Sequence, residues 1–88
     1  MEDSNVSETS IEQRVRNVVL SILDVKDDDL RPSVRFRDLG AGSIDFVEIL
    51  SALENEFNVD IPDEAAPGLN TVQKIVVYME ARQDAVHR

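Results

Sequence analysis

The chain has 88 residues, 42% of them hydrophobic and none of them cysteine, so it supports one small domain held by its core alone, without disulfides or thiolate metal sites. Its formal net charge of -9 argues against a nucleic-acid partner, because affinity for a phosphate backbone rests on Lys and Arg releasing counterions. No apolar run approaches the roughly 20 residues that cross a bilayer, and Met1-Glu2-Asp3-Ser4-Asn5 lacks the basic start of a targeting peptide, so a cytoplasmic protein is expected.

Residues 1–8 are polar and are expected to form a flexible N-terminus. Ser10-Ile11-Glu12-Gln13 then matches a capping box, in which Ser10 and Gln13 each satisfy a backbone donor. Ile11, Val15, Val18 and Ile22 follow at helical spacing, which predicts a first helix ending near Leu23. Asp27-Asp28-Asp29 and Arg31-Pro32 break the pattern and open a connection of about 18 residues to Gly42, long enough to require a function or internal pins. Leu30, Val34, Phe36 and Leu39 are the expected pins. The acidic run does not make a calcium loop: counting from Asp24, the third position is Lys26, the sixth is Asp29 instead of Gly, and the twelfth is Arg35 instead of Glu. It reads as a solvated loop with Arg31, Arg35 or Arg37 as its partners.

A second helix is predicted from Ser43 to Phe57. At about 100° per residue, Phe46, Ile49, Leu50, Leu53 and Phe57 share the face that must be buried. Ile44 falls on the opposite side, with Glu48, Ser51 and Asn55, and Val47 lies on the flank. An aliphatic side chain in that position, beside Ser43 and ringed by Asp45 and Glu48, reads as a docking knob. Pro62 ends helical geometry at Ile61. Asp63-Glu64-Ala65-Ala66 is expected to form one short helical turn before Pro67-Gly68. Thr71 then caps a last helix through about Arg82, with Val72, Ile75, Val76 and Met79 inward, and residues 83–88 form a flexible C-terminus. Three longer helices, one short helix and no alternating β run predict an all-α bundle.

Charge and chemistry both point to the start of the second helix. Between Asp38 and Gln73 there are eight acids and no base, whereas the ten acids and nine bases elsewhere nearly cancel. Such a field draws in a protein with a basic patch by electrostatic steering. Ser43 stands where the Gly40-Ala41-Gly42 turn meets the helix, presented to solvent. A nucleophilic serine needs a base at hydrogen-bond distance, and the lone histidine, His87, is one residue from the end. Catalysis is therefore not expected. Two readings of Ser43 remain: an N-cap whose oxygen accepts a helical N–H, or a site of modification, where a phosphodiester would lie at the positive end of the helix dipole.

The chain resembles an acyl carrier protein, of the discrete bacterial type II form, over about Thr9 to Arg82. Four blocks carry the likeness: Ser10 to Val15; Phe36-Arg37-Asp38-Leu39-Gly40-Ala41-Gly42-Ser43-Ile44-Asp45; Val47 to Phe57 with Ile61-Pro62-Asp63-Glu64; and Thr71 to Ile75. The resemblance implies a four-helix bundle with a long first loop, a carrier domain over residues 9–82, and a non-enzymatic role. It also implies that Ser43 receives 4'-phosphopantetheine from coenzyme A by a holo-synthase or other phosphopantetheinyl transferase. The arm would carry acyl groups as thioesters among enzymes of fatty-acid or related specialised lipid or polyketide biosynthesis. Asp38, Ile44, Asp45, Val47, Glu48 and Ser51 would form the docking surface for enzymes with basic patches, with Glu54 and Asp63 at its margin. No metal is implied, and a monomer is expected.

Two positions depart from the family pattern. Gly42 replaces the Asp that usually precedes the serine, which leaves the cognate transferase open. Phe46 stands where a smaller residue is common and implies a narrower acyl pocket and a specialised carrier. The alternatives are a carrier of aminoacyl cargo and an unmodified acidic helical interaction module.

Overall fold

In the computed structural model, which describes residues 10–86, Ser10 caps helix α1 (Ile11–Ile22), its Oγ accepting the Gln13 N–H at 3.1 Å. The reciprocal half of the expected capping box does not form. Gln13 Nε2 donates instead to Asn17 Oδ1, one turn on, at 2.9 Å. Val15 and Val19 are the fully buried positions of α1, and Leu23 at its C-cap is buried with them. Their i, i+4, i+8 spacing places them at the centre of the apolar stripe, so the predicted Ile11, Val18 and Ile22 become its half-buried flanks.

The long connection is pinned by Leu30 and Phe36, both buried, with Leu39 packed at the edge of the core, whereas the fourth expected pin, Val34, is not packed against it. It contains two 3₁₀ turns, Asp27–Asp29 and Phe36–Leu39. Among the described residues the acidic run makes no ion pair with Arg31, Arg35 or Arg37. The loop folds back over α1, where Arg16 donates to the Leu30 carbonyl, to the Asp27 carbonyl at 2.8 Å and to Asp27 Oδ1 at 2.7 Å. One guanidinium thereby satisfies two loop carbonyls and a carboxylate. The end of the connection is tied to the chain before the last helix: Phe36 N–H donates to the Asn70 carbonyl at 3.1 Å and Gln73 N–H to the Pro32 carbonyl at 3.0 Å.

Helix α2 (Ser43–Phe57) buries Ile49, Leu53 and Phe57, with Phe46 and Leu50 half-buried beside them. It closes at Asn58, whose φ of 55° is left-handed, a conformation asparagine tolerates better than most residues. Arg14 of α1 secures this end. Its guanidinium donates to the Glu56 carbonyl at 2.8 Å and to Glu56 Oε2 at 2.9 Å, and lies 4.2 Å from the Phe57 ring centroid.

The short element is displaced from its expected place. Residues 63–65 form a turn, and the helical segment is a 3₁₀ turn over Ala66–Gly68. Pro67 and Gly68 build this turn instead of ending it, because proline is pre-set for the first positions of a helix and its missing N–H has no partner to lose there. Thr71 caps helix α3 (Val72–Val86) as expected, Oγ1 accepting the Lys74 N–H at 3.1 Å. Val72, Ile75 and Met79 are buried. The helix runs past its expected end at Arg82; the expected flexible N-terminus and the last residues of the expected flexible C-terminus, 87–88, lie outside the described residues.

Among the described residues the architecture is an all-α bundle of three helices with three short 3₁₀ turns, the last of them in place of the expected short helix. Helix α1 packs against both α2 and α3. Among the described residues there is no strand, only an isolated bridge between Arg35 and Thr71.

Candidate functional site

The turn that begins α2 is built by two glycines in different ways. Gly40 has φ 91°, a left-handed geometry that closes the Phe36–Leu39 turn and disfavours a side chain. Gly42 is extended at φ -91° and serves as the N-cap of α2. Glycine has no side chain to cap with, so the helix is closed from the other direction: Asp45 Oδ2 accepts the Gly42 N–H at 3.0 Å.

Ser43 is consequently the first residue of α2 and not its N-cap, which corrects one of the two readings of this residue. Its side chain is exposed. It therefore presents a free alcohol at the positive end of the α2 dipole, where backbone donors favour an anion attached to that oxygen.

A cleft of about 310 Å³ opens beside Ser43. Phe36, Ala41, Phe46 and Pro67 supply its apolar lining, and Arg37 and Asn70 its polar side chains. Phe46 forms one wall, its ring 6.5 Å from that of Phe36 at 45°. Asn70 is the residue that sequence reasoning missed. Its Oδ1 is shielded from solvent and has no hydrogen-bond partner among the described residues. No local motif signals it, because its position in the cleft depends on the fold of the loop before α3.

The exposed face of α2 brings together Ile44, Val47, Glu48 and Ser51. Ile44 is 75% exposed and Val47 60%, the two large aliphatic side chains of that helix left uncovered. Asp38, on the preceding turn, is exposed and pairs with Arg35 at 3.3 Å. A second cleft, of about 320 Å³, gathers Val47, Ser51, Glu54 and Asp63 along the flank. Glu54 is half-buried there, and its Oε2 accepts the Ile61 N–H at 2.8 Å, which anchors the loop after α2. Asp45 is likewise half-buried and engaged with Gly42. His87 lies outside the described residues.

No helix among the described residues is long and apolar enough to cross a membrane. A family model described as "Phosphopantetheine attachment site" matches residues 13–79, which takes in the connection, the Gly42–Ser43 turn, all of α2 and the first half of α3. Domains of that family are carriers of covalent 4'-phosphopantetheine and not catalysts, in agreement with the resemblance drawn from the sequence. With most of its length matched, the chain belongs to the phosphopantetheine attachment site family.

Proposed function

We propose that Ser43 is the residue that holds 4'-phosphopantetheine and that the chain shuttles acyl intermediates as thioesters in fatty-acid or a related specialised lipid or polyketide biosynthesis. The observation that carries this reading is the division of labour at the start of α2. Asp45 closes the helix through Gly42, so the Ser43 hydroxyl is exposed and has no capping duty. The residues present fit the group: an alcohol at a helix N-terminus for the phosphodiester and a largely apolar cleft of about 310 Å³ alongside. The chemistry supplied at this position is thioester formation at a terminal thiol.

The chain's own residues handle recognition. Glu48 and the neighbouring acids steer a partner enzyme with a basic patch, and Ile44 and Val47 offer the apolar contact at its centre. Such contacts are shallow and salt-screened, which suits a carrier that must leave one enzyme for the next. The partners are a phosphopantetheinyl transferase and acyl-processing enzymes, the carrier domain spans residues 9–82, and the protein works as a cytoplasmic monomer. The position of the cap at Gly42 weighs against the reading in which Ser43 only caps the helix.

Intact-mass measurement tests the proposal. The protein incubated with coenzyme A and a panel of transferases gains one arm, and Ser43→Ala, equally folded, gains none. A wild-type chain left unmodified by every transferase, or an arm on the Ser43→Ala variant, overturns it.

A further inference from the structure

Helix α3 carries an apolar surface that the function proposed above does not use. Val77 is 61% exposed, as open as Val47 on α2. It borders a cleft of about 500 Å³, larger than the one beside Ser43, which Gly68, Leu69, Gln73, Lys74 and Tyr78 complete. A lone exposed valine is ordinary, but one on the rim of a largely apolar cleft of that size marks a contact surface.

Charge divides this face. Lys74 is exposed and makes no ion pair among the described residues. Arg82 lies over the Tyr78 ring, 4.8 Å from its centroid, and donates to the Tyr78 hydroxyl. Both cations therefore stand on the Tyr78 side of Val77. At about 100° per residue, Glu80 falls on the other flank, toward a neighbouring cleft whose lining includes Glu12. An apolar occupant that carries a carboxylate is accordingly held in one orientation, its acid toward Lys74 and Arg82 and away from Glu80.

The chain itself presents such an occupant. On α2, Ile44 and Val47 are exposed beside the exposed Glu48. Asp45 is engaged with Gly42 and Asp38 with Arg35, whereas Glu48 makes no ion pair among the described residues. Two aliphatic side chains with an acid beside them match an aliphatic cleft with cations beside it.

We propose that the α2 face of one copy docks in the α3 cleft of a second copy, Ile44 and Val47 against Val77 and Tyr78, with Glu48 beside Lys74. The contact is head-to-tail, since the two faces differ. It is small and each copy carries a net charge of -9, so mutual repulsion keeps it transient, with a dissociation constant on the order of 1 mM. The chain that meets an enzyme is thus the monomer. A crowded pool of carrier covers its own docking face until a more strongly basic surface displaces the neighbour. None of this requires the arm at Ser43.

The full unmodified chain tests this by ¹⁵N NMR, diluted from about 2 mM to about 20 μM in about 0.15 M salt, where long-range repulsion is largely screened. The amide signals of Ile44, Val47 and Glu48 and those of Lys74, Val77 and Tyr78 shift together with concentration. Glu48→Lys and Lys74→Glu each reduce the shifts about fivefold. The double variant, which reverses the pair at unchanged net charge, restores them. Glu48→Lys also brings the net charge nearer zero, so unspecific association would strengthen where the docked contact weakens. Both single variants melt with the wild type, because both side chains are exposed. Signals that do not move with concentration, shifts confined to one face, shifts undiminished in either single variant, or a double variant that stays dispersed overturns the proposal, and each leaves the question of loading at Ser43 untouched.

Discussion

The Asp45 carboxylate accepts the Gly42 backbone N–H at 3.0 Å, across the turn that presents Ser43. An acid that the sequence marks for partner docking therefore also fixes the geometry of the residue proposed to carry the arm. The two roles are separable by substitution. Asp45→Ala removes the reciprocal cap and lowers stability by about 0.5–2 kcal/mol in a denaturant titration, with slower arm transfer. Asp45→Asn retains an acceptor, keeps most of the stability, and weakens the salt-sensitive part of transferase binding.

The two glycines of the turn respond in opposite ways. A Cβ at Gly42 meets no heavy atom within 4 Å, and its φ of -91° is open to any residue. Gly42→Asp therefore folds normally, with stability equal to or a few tenths of a kcal/mol above wild type, because aspartate is at least as good an N-cap as glycine. It also raises the rate with transferases that read an acid before the serine. Gly40 has equal space but φ 91°, so Gly40→Ala costs roughly 1–2 kcal/mol through backbone strain alone. Thermal melting of the pair checks both.

Arg14 stabilises the far end of α2 by more than an ion pair. It lies over the Phe57 ring, caps the Glu56 carbonyl and meets the Glu56 carboxylate, both side chains being about a third exposed or more. Arg14→Met loses all three contacts and costs about 1–2 kcal/mol, whereas Glu56→Gln removes only the screened charge pair and costs under about 0.5 kcal/mol. Equal losses in urea titrations of the two variants would contradict this ranking.

Docking and folding separate along α2. Ile44→Ala, Val47→Ala and Glu48→Lys change stability by no more than about 0.5 kcal/mol, since these side chains reach into solvent. They weaken capture by a partner enzyme, and the Glu48→Lys defect shrinks at high salt while the aliphatic ones persist. Leu53→Ala, on the buried face, costs about 2–5 kcal/mol and impairs docking only through unfolding. Calorimetric titration at two ionic strengths, paired with melting curves, distinguishes the three behaviours.

Much of this was legible from periodicity and caps. The buried face of α2, the caps at Ser10 and Thr71, and the pins Leu30 and Phe36 follow from local pattern, because each depends on residues within a turn or two of one another. What the pattern missed depends on long-range contacts. Arg16 was not recognised as the partner of Asp27, since that pairing exists only once the loop has folded over α1. Ser43 reads as the cap on paper, and its replacement in that role by Gly42 follows from Asp45 reaching back to Gly42. Asn70 escaped notice because an unsatisfied oxygen is a property of the packed chain and has no sequence signature.

The ties between Phe36 and Asn70 and between Pro32 and Gln73 have a mechanical result. The first fastens the Phe36 wall of the cleft beside Ser43 to the residue before Thr71, and the second ties the connection to the first turn of α3. On the function proposed above, a group carried at Ser43 that enters this cleft meets a fastened wall at Phe36, so any yielding falls to the Phe46 side and the first turns of α2.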